Sequence, residues 1–241
     1  ACEKSAPREF AWLGKARAEG FAVAFPKGAG RTPQAGTWNA GGCCAYAMTS
    51  NSNDIDFIAA LIDEVRRTHA IDPRRIYVTG MSNGGMLTHR IAIALGDRIA
   101  AAAVVAGAMF GGESLPAAPV PMLVMHGMKD QIVPFEGGNS PMELVARNQS
   151  QPFKSVRYAV DFWTRANGCA GKPGVNTAGD VTVETHAACR SGSEVIFYRL
   201  ASAGHSWPGT AAASVAIERT PYTAINATEI LWDFFRRHRR P

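Results

Sequence analysis

Short, almost unbroken apolar runs alternate along this chain with stretches in which apolar residues recur every three or four positions. The second pattern predicts helices and the first predicts buried strands. Ala11 to Glu19 reads as a helix, and Phe21 to Pro26 as a buried strand ended by its proline. A Gly/Pro-rich loop follows from Gly28 to Gly42. Asp54 to His69 is amphipathic, with Ile55, Ile58, Leu61, Ile62 and Val65 on one face and Asn53 or Asp54 as its cap. Ile76 to Thr79, Ala101 to Ala106, Val120 to His126 and Val195 to Leu200 read as strands. Helices are predicted over Met86 to Leu95, over Phe153 to Asn167 (core Val156, Val160, Phe162, Trp163) and over Thr223 to His238 (core Ile230, Leu231, Phe234, Phe235). Apolar strands alternating with helices imply an α/β fold, a mostly parallel sheet with helices on both faces. No repeat or linker divides residues 1–241, so one domain is expected.

Composition narrows the class. Hydrophobic residues make up 46% and charged residues 19%, ample for a core and unlike a disordered chain. The longest apolar run, Ile99 to Phe110, is too short to span a bilayer, and no membrane partner is expected. No signal peptide is visible, and the chain opens on Ala1-Cys2-Glu3-Lys4, as a processed or trimmed chain would. The net charge of +5 owes much to the tail Arg236-Arg237-His238-Arg239-Arg240, read first as a solvated helix end favoured by the helix dipole. Basic-aromatic interleaving and zinc-finger spacing are both missing, so no nucleic-acid partner is expected.

The five cysteines form no C-x-x-C pair, and neither a metal nor a cofactor is expected. Cys169 and Cys189 flank a polar stretch, Gly171 to His186, which a disulfide would staple. That bond implies an oxidising compartment and a secreted or periplasmic protein. For Cys2, Cys43 and Cys44 a bond between neighbours, a bond to Cys2 and free thiols all remain open.

The candidate chemistry lies where strands end. Thr79-Gly80-Met81-Ser82-Asn83-Gly84 is G-x-S-x-G between a strand and a helix, the context of a nucleophile elbow. Gly80 and Gly84 are expected to remove side chains that would clash in so tight a turn. Asp130 follows the strand ending at His126, and His205 follows the strand ending at Leu200. Ser, Asp, His is the chain order of an α/β-hydrolase. Ser82 is read as the nucleophile, His205 as the base that takes its proton, and Asp130 as the group that orients His205. His126 is a rival base, assigned instead to packing or loop bonding. The backbone N–H of Asn83 is the expected oxyanion donor; the loop carrying a second donor is not identifiable.

Several segments together resemble the polyhydroxybutyrate depolymerase family. They are Trp38-Asn39-Ala40-Gly41-Gly42-Cys43-Cys44, Asp54-Ile55-Asp56-Phe57-Ile58, the elbow from Tyr77 to Met86, and His126-Gly127 with Asp130 and Val133 to Gly138. Asn167-Gly168-Cys169 and Gly204 to Gly209 continue the likeness across nearly the whole chain. That family includes feruloyl and acetylxylan esterases and is similar to poly(aspartic acid) hydrolases. The resemblance implies a secreted serine hydrolase of the α/β-hydrolase fold with Ser82, Asp130 and His205 as its triad. It also implies a departure. Family members begin with two or three further strands, the last ending in a His-Gly loop that supplies the second oxyanion donor, whereas this chain opens near the helix after that loop. An N-terminally incomplete chain lacking the usual N-terminal strands is therefore expected.

Three functions follow. The first is cleavage of polyhydroxyalkanoate oligomers or of feruloyl or acetyl esters. The second is cleavage of poly(aspartic acid), favoured by the basic charge, with Lys129, Arg147 and Lys154 as candidate contacts. The third is an inactive binding module of the same fold. A polymeric or oligomeric ester or amide is the expected partner. The loop Phe135 to Pro152, with Trp38 and Trp207, is expected to line the substrate groove, although both tryptophans read equally well as core aromatics.

Overall fold

The computed structural model describes residues 10–32, 34–210 and 221–240. Its centre is a sheet of six strands: β1 (Tyr77–Met81), β2 (Ala101–Val105), β3 (Met122–Gly127), β4 (Gly174–Ala178), β5 (Val181–His186) and β6 (Val195–Leu200). They lie in the order β1-β2-β3-β6-β5-β4, with the first four parallel and β5 and β4 antiparallel. The helices are α1 (Trp12–Glu19), α2 (Ala45–Thr49), α3 (Asp54–Thr68), α4 (Asn83–Ala94), α5 (Glu143–Ala146), α6 (Val156–Ala166) and α7 (Ala227–Phe235).

The apolar runs become strands because both faces of the sheet are covered. Successive side chains point to opposite faces. Ala101, Ala103, Val105, Leu123, Met125 and Leu200 pack with Trp12 of α1 and Leu231 and Phe234 of α7. Ala102, Val104, Met122, Val124 and Phe197 pack with Ala92 of α4 and Val160 and Trp163 of α6. The capping residues fit their helices: Asn53, Ser155 and Asn226 accept from the backbone N–H groups of Asp56, Tyr158 and Glu229.

Two sequence expectations are corrected. Phe21 to Pro26 is not a strand of the sheet. Its backbone is irregular, but Phe21, Val23 and Phe25 pack against the core cluster of α1 and α7, so the run is apolar without pairing in the sheet. Among the described residues, β1 is an edge strand. Conversely, the polar stretch between Cys169 and Cys189 carries the hairpin β4–β5. Gly179-Asp180 makes its two-residue turn, with Gly179 at φ 57°, and that dipeptide between alternating Val and Thr was the available signal.

The Cys169–Cys189 disulfide is present, and Cys43 is bonded to its neighbour Cys44; Cys2 lies outside the described residues. The basic tail is less free than a solvated helix end. Arg236 pairs with Asp233, Arg237 with Glu194 and Arg239 with Asp72, at 2.8, 3.1 and 2.7 Å. No described helix is long and apolar enough to cross a membrane.

Candidate active site

The parallel strands β1, β2, β3 and β6 end along one edge of the sheet, and the sequence-derived candidates gather there. Ser82 stands between β1 and α4 with φ 55° and ψ −126°, a conformation that costs a non-glycine residue about 1–3 kcal/mol. It occupies the N-cap of α4, where a serine ordinarily spends its hydroxyl on the helix, yet that hydroxyl caps nothing. Its backbone is pinned instead: its N–H donates to Val105 C=O at 3.0 Å, and its C=O accepts from Met86 N–H at 2.9 Å.

The glycines of the turn do not act as the pattern suggested. A Cβ on Gly80 would lie 2.4 Å from the Gly84 backbone, so only glycine fits there. Gly84 itself has open space where its Cβ would stand, and the second crowded position is Gly85, 3.0 Å from Gly80 O and Val104 Cγ1. The close approach of α4 to β1 and β2 therefore rests on Gly80 and Gly85.

Asp130 and His205 meet directly. His205 Nδ1 lies 2.8 Å from Asp130 Oδ2, and both side chains are buried. The second carboxylate oxygen, Oδ1, accepts from the N–H groups of Ile132 and Val133, each at 2.8 Å. Burial pushes the Asp130 carboxyl up, but hydrogen bonds from His126 and His205 outweigh it and hold the group well below the usual carboxylate range. Asp130 is thus a fixed anion beside an imidazole.

The loop carrying His205 reaches Asp130 because β3 ends in glycine. A Cβ on Gly127 would fall 2.2 Å from Ala203 O. With glycine there, Met128 N–H donates to Leu200 C=O and Lys129 N–H to Ala203 C=O, at 2.9 and 3.0 Å. These bonds seat residues 203–205 on the loop that holds Asp130. Among the described hydrogen bonds, the Ser82 hydroxyl is not joined to the imidazole.

His126 is held by packing and loop bonding. It is buried at the end of β3, donates from Nε2 to Val133 C=O at 2.9 Å, and packs edge-on to Phe135. The same Nε2 lies 3.3 Å from Asp130 Oδ2, a contact the sequence reading missed. The signal was the spacing itself, since four residues across a tight strand-to-loop turn bring the two side chains together.

Asn83 opens α4, the position required for an oxyanion donor. Its side chain holds the backbone of Trp38, accepting from the N–H at 2.7 Å and donating to the C=O at 2.9 Å. The Trp38 ring is half-buried and stacks on the exposed Phe57, with centroids 6.3 Å apart.

Trp207 is a correction: it lines no groove. It is 1% exposed, stacks on Phe10 at 4.5 Å and donates to Thr228 Oγ1 at 2.9 Å, beneath α7. Its polar atom is satisfied inside the core. Of the three candidate cations, Arg147 is paired with Glu143, Lys154 lies over the Tyr158 ring, and Lys129 is exposed next to Asp130. The loop from Phe135 to Pro152 contains α5 and is tied to the 42–44 segment through Ser150 N–H to Gly42 C=O and a bridge between Cys43 and Gln149.

Comparisons with known proteins agree with this architecture. A model of the prolyl oligopeptidase family matches residues 7–110. Feruloyl esterase B of Piromyces equi is 33% identical over 193 residues, covering 78% of this chain and 34% of that protein. The putative esterase NocK of Nocardia uniformis subsp. tsuyamanensis is 32% identical over 168 residues, 65% of this chain and 49% of the relative. The chain therefore spans between a third and a half of these relatives. Among solved structures, the acetyl xylan esterase of Aspergillus awamori aligns with a TM-score of 0.58 at 14% identity, covering 86% of this chain and 80% of that one. Arabidopsis thaliana SOBER1 aligns at 0.53 and 14%, covering 98% and 93%. The chain has the α/β-hydrolase fold, and its relatives are esterases.

Proposed function

We propose that this protein is a serine esterase acting through an acyl-enzyme, with Ser82, His205 and Asp130 as its triad. The observation that carries the reading is the serine at the N-cap of α4, held at positive φ with its hydroxyl unspent, at the same sheet edge as a buried imidazole bonded to an anionic carboxylate. His205 Nδ1 faces Asp130, which leaves Nε2 as the atom that exchanges the proton. In acylation Nε2 removes the Ser82 proton while Oγ bonds to the ester carbonyl carbon. The oxygen becomes an oxyanion facing the Asn83 N–H, and collapse expels the alcohol, which leaves with the proton from Nε2. Water then repeats the cycle, and the acid and Ser82 are released. Asp130 holds the tautomer and stabilises the imidazolium without itself taking the proton.

For the substrate, feruloyl or acetyl esters of plant polymers come first, because the relatives carry those names. The polyhydroxyalkanoate and poly(aspartic acid) readings, and the inactive module, stay as outcomes of the same test. The Cys169–Cys189 bond supports a secreted or periplasmic location.

The test is a hydrolysis panel of p-nitrophenyl acetate, methyl ferulate, acetylated xylan, a hydroxybutyrate trimer and poly(aspartic acid), run with wild type and Ser82→Ala. Turnover of methyl ferulate or acetylated xylan that vanishes in Ser82→Ala is expected. A folded wild-type protein that cleaves no ester would overturn the proposal, and cleavage of poly(aspartic acid) alone would replace it with an amidase.

A further inference from the structure

Among the described residues, two histidines outside the proposed triad are buried, His89 and His126. His89 Nδ1 accepts from the Trp163 indole N–H at 3.0 Å, and its ring packs between α4 and α6. His126 stands against the triad carboxylate itself. Its Nε2 has two oxygens before it, Val133 C=O at 2.9 Å and Asp130 Oδ2 at 3.3 Å. A carbonyl and an ionised carboxylate only accept, so Nε2 carries the ring proton. Nδ1 is buried with no hydrogen-bond partner within the protein and keeps its lone pair. The bond to Val133 is the shorter one. The contact with Oδ2 is longer and electrostatic, the positive end of an N–H dipole beside an anion.

Val133 belongs to the turn that presents Asp130. The N–H groups of Ile132 and Val133 both donate to Asp130 Oδ1, each at 2.8 Å. These donors hold the carboxylate only as firmly as the turn itself is held, and the two carbonyls of the turn are its anchors. Ile132 C=O accepts from the Ser140 hydroxyl at 2.6 Å, and Val133 C=O accepts from His126. Ser140 comes from the loop that follows the turn, whereas His126 is on β3, the strand that Asp130 follows. His126, Asp130 and Ser140 are all buried. A buried carbonyl that loses its donor is costly to leave unmet, so the turn would rearrange. The other carboxylate oxygen has the same support, since His205 Nδ1 and His126 Nε2 both flank Oδ2.

We propose that His126 is a positioning residue for Asp130: its Nε2–H ties the turn 130–133 to β3 and flanks Oδ2, so that the carboxylate stays aimed at His205 Nδ1. Its effect on turnover rests on the esterase reading. Packing alone would ask only for a flat ring edge-on to Phe135. The positioning role asks for an N–H where Nε2 stands, whatever side chain carries it. The two roles therefore rank substitutions in opposite order.

The test compares His126→Gln, whose amide N–H can take the place of Nε2–H, with His126→Phe, which keeps a ring against Phe135 and loses the donor. On p-nitrophenyl acetate, His126→Phe is expected to lower kcat about 10–100-fold with KM within about 3-fold of wild type, and His126→Gln to keep kcat within about 3-fold. The low-field ¹H resonance of His205 Nδ1–H reads the contact with Asp130 without substrate. It is expected to persist in His126→Gln and to be lost to exchange in His126→Phe, with His126→Leu used instead if the Phe variant does not fold. In ¹⁵N-histidine-labelled wild type, His126 is expected as the Nε2–H tautomer. An Nδ1–H tautomer, a His126→Phe protein more active than His126→Gln, or an unchanged His205 resonance in the donor-free variant would each overturn the proposal. A wild type without Ser82-dependent turnover, with the resonances as expected, would overturn the esterase reading and leave the positioning role standing.

Discussion

The side chain of Asn83 pairs with the backbone of Trp38 as a neighbouring strand would, one bond in each direction, at 2.7 and 2.9 Å. The residue proposed to meet the oxyanion through its main chain thus uses its side chain to lock the adjacent loop. Asn83→Ala keeps the backbone N–H and loses the lock. It is expected to lower kcat/KM on p-nitrophenyl acetate by about 10–100-fold, because small misplacements at a reacting centre are costly. Stability should fall by about 1 kcal/mol as the half-buried partners lose their bonds. Unchanged kinetics and melting temperature would show the pairing to be idle.

Ser82 shows the opposite balance of function against stability. At φ 55° and ψ −126° its side chain is a strain that glycine would not carry. Ser82→Gly is expected to abolish turnover while raising stability by about 1 kcal/mol or more, and Ser82→Ala to abolish turnover without that gain. Denaturant unfolding of the two variants decides it. A Ser82→Gly protein less stable than Ser82→Ala would mean that the turn is not strained.

What was legible in the sequence is what local chemistry dictates. The runs 101–106 and 195–200 are apolar because both faces of their strands are buried, and periodicity reports burial. Ser82, Asp130 and His205 follow strands, and strand ends are where an α/β sheet presents reactive groups. What was misread depends on contacts far apart in sequence. Phe21 to Phe25 has the apolar run of a buried strand, but pairing is a property of its neighbours. Trp207 could face a groove or the core, and only the arrival of Thr228 and Phe10 decides it. Gly84 fits the motif, yet the crowding falls on Gly85, because the depth of the α4 contact is set by Val104 on another strand.

Gly127 tests how the His205 loop is seated. A methyl group there would sit 2.2 Å from Ala203 O, and backbone cannot yield as a flexible side chain would. Gly127→Ala is expected to destabilise the fold by about 1–3 kcal/mol, the usual cost of overpacking. It should also draw His205 away from Asp130, lowering kcat much more than it changes KM. A crystal structure of the variant with the His205–Asp130 contact kept at 2.8 Å, and with full activity, would refute this account.

His89 sets an acid limit on stability. Burial lowers its pKa from 6.5 to about 4, with the charge of Glu113 opposing the shift only in part. Above pH 6.5 the imidazole is neutral both folded and unfolded and contributes no pH dependence. Between 6.5 and 4 the unfolded chain binds a proton that the folded protein refuses, so stability falls as pH falls. The loss levels off below about 4, after about 3 kcal/mol at 1.36 kcal/mol per pKa unit. His89→Gln keeps an amide oxygen to accept from Trp163 and cannot titrate. It should cost some stability at pH 7 through imperfect packing, yet lose about 2–3 kcal/mol less than wild type between pH 7 and 4.5. Urea unfolding of both proteins at the two pH values measures the difference, and carboxylates common to both cancel in the comparison. Parallel pH profiles for wild type and His89→Gln would show that the buried imidazole carries the same charge folded and unfolded, against the expectation drawn from its burial.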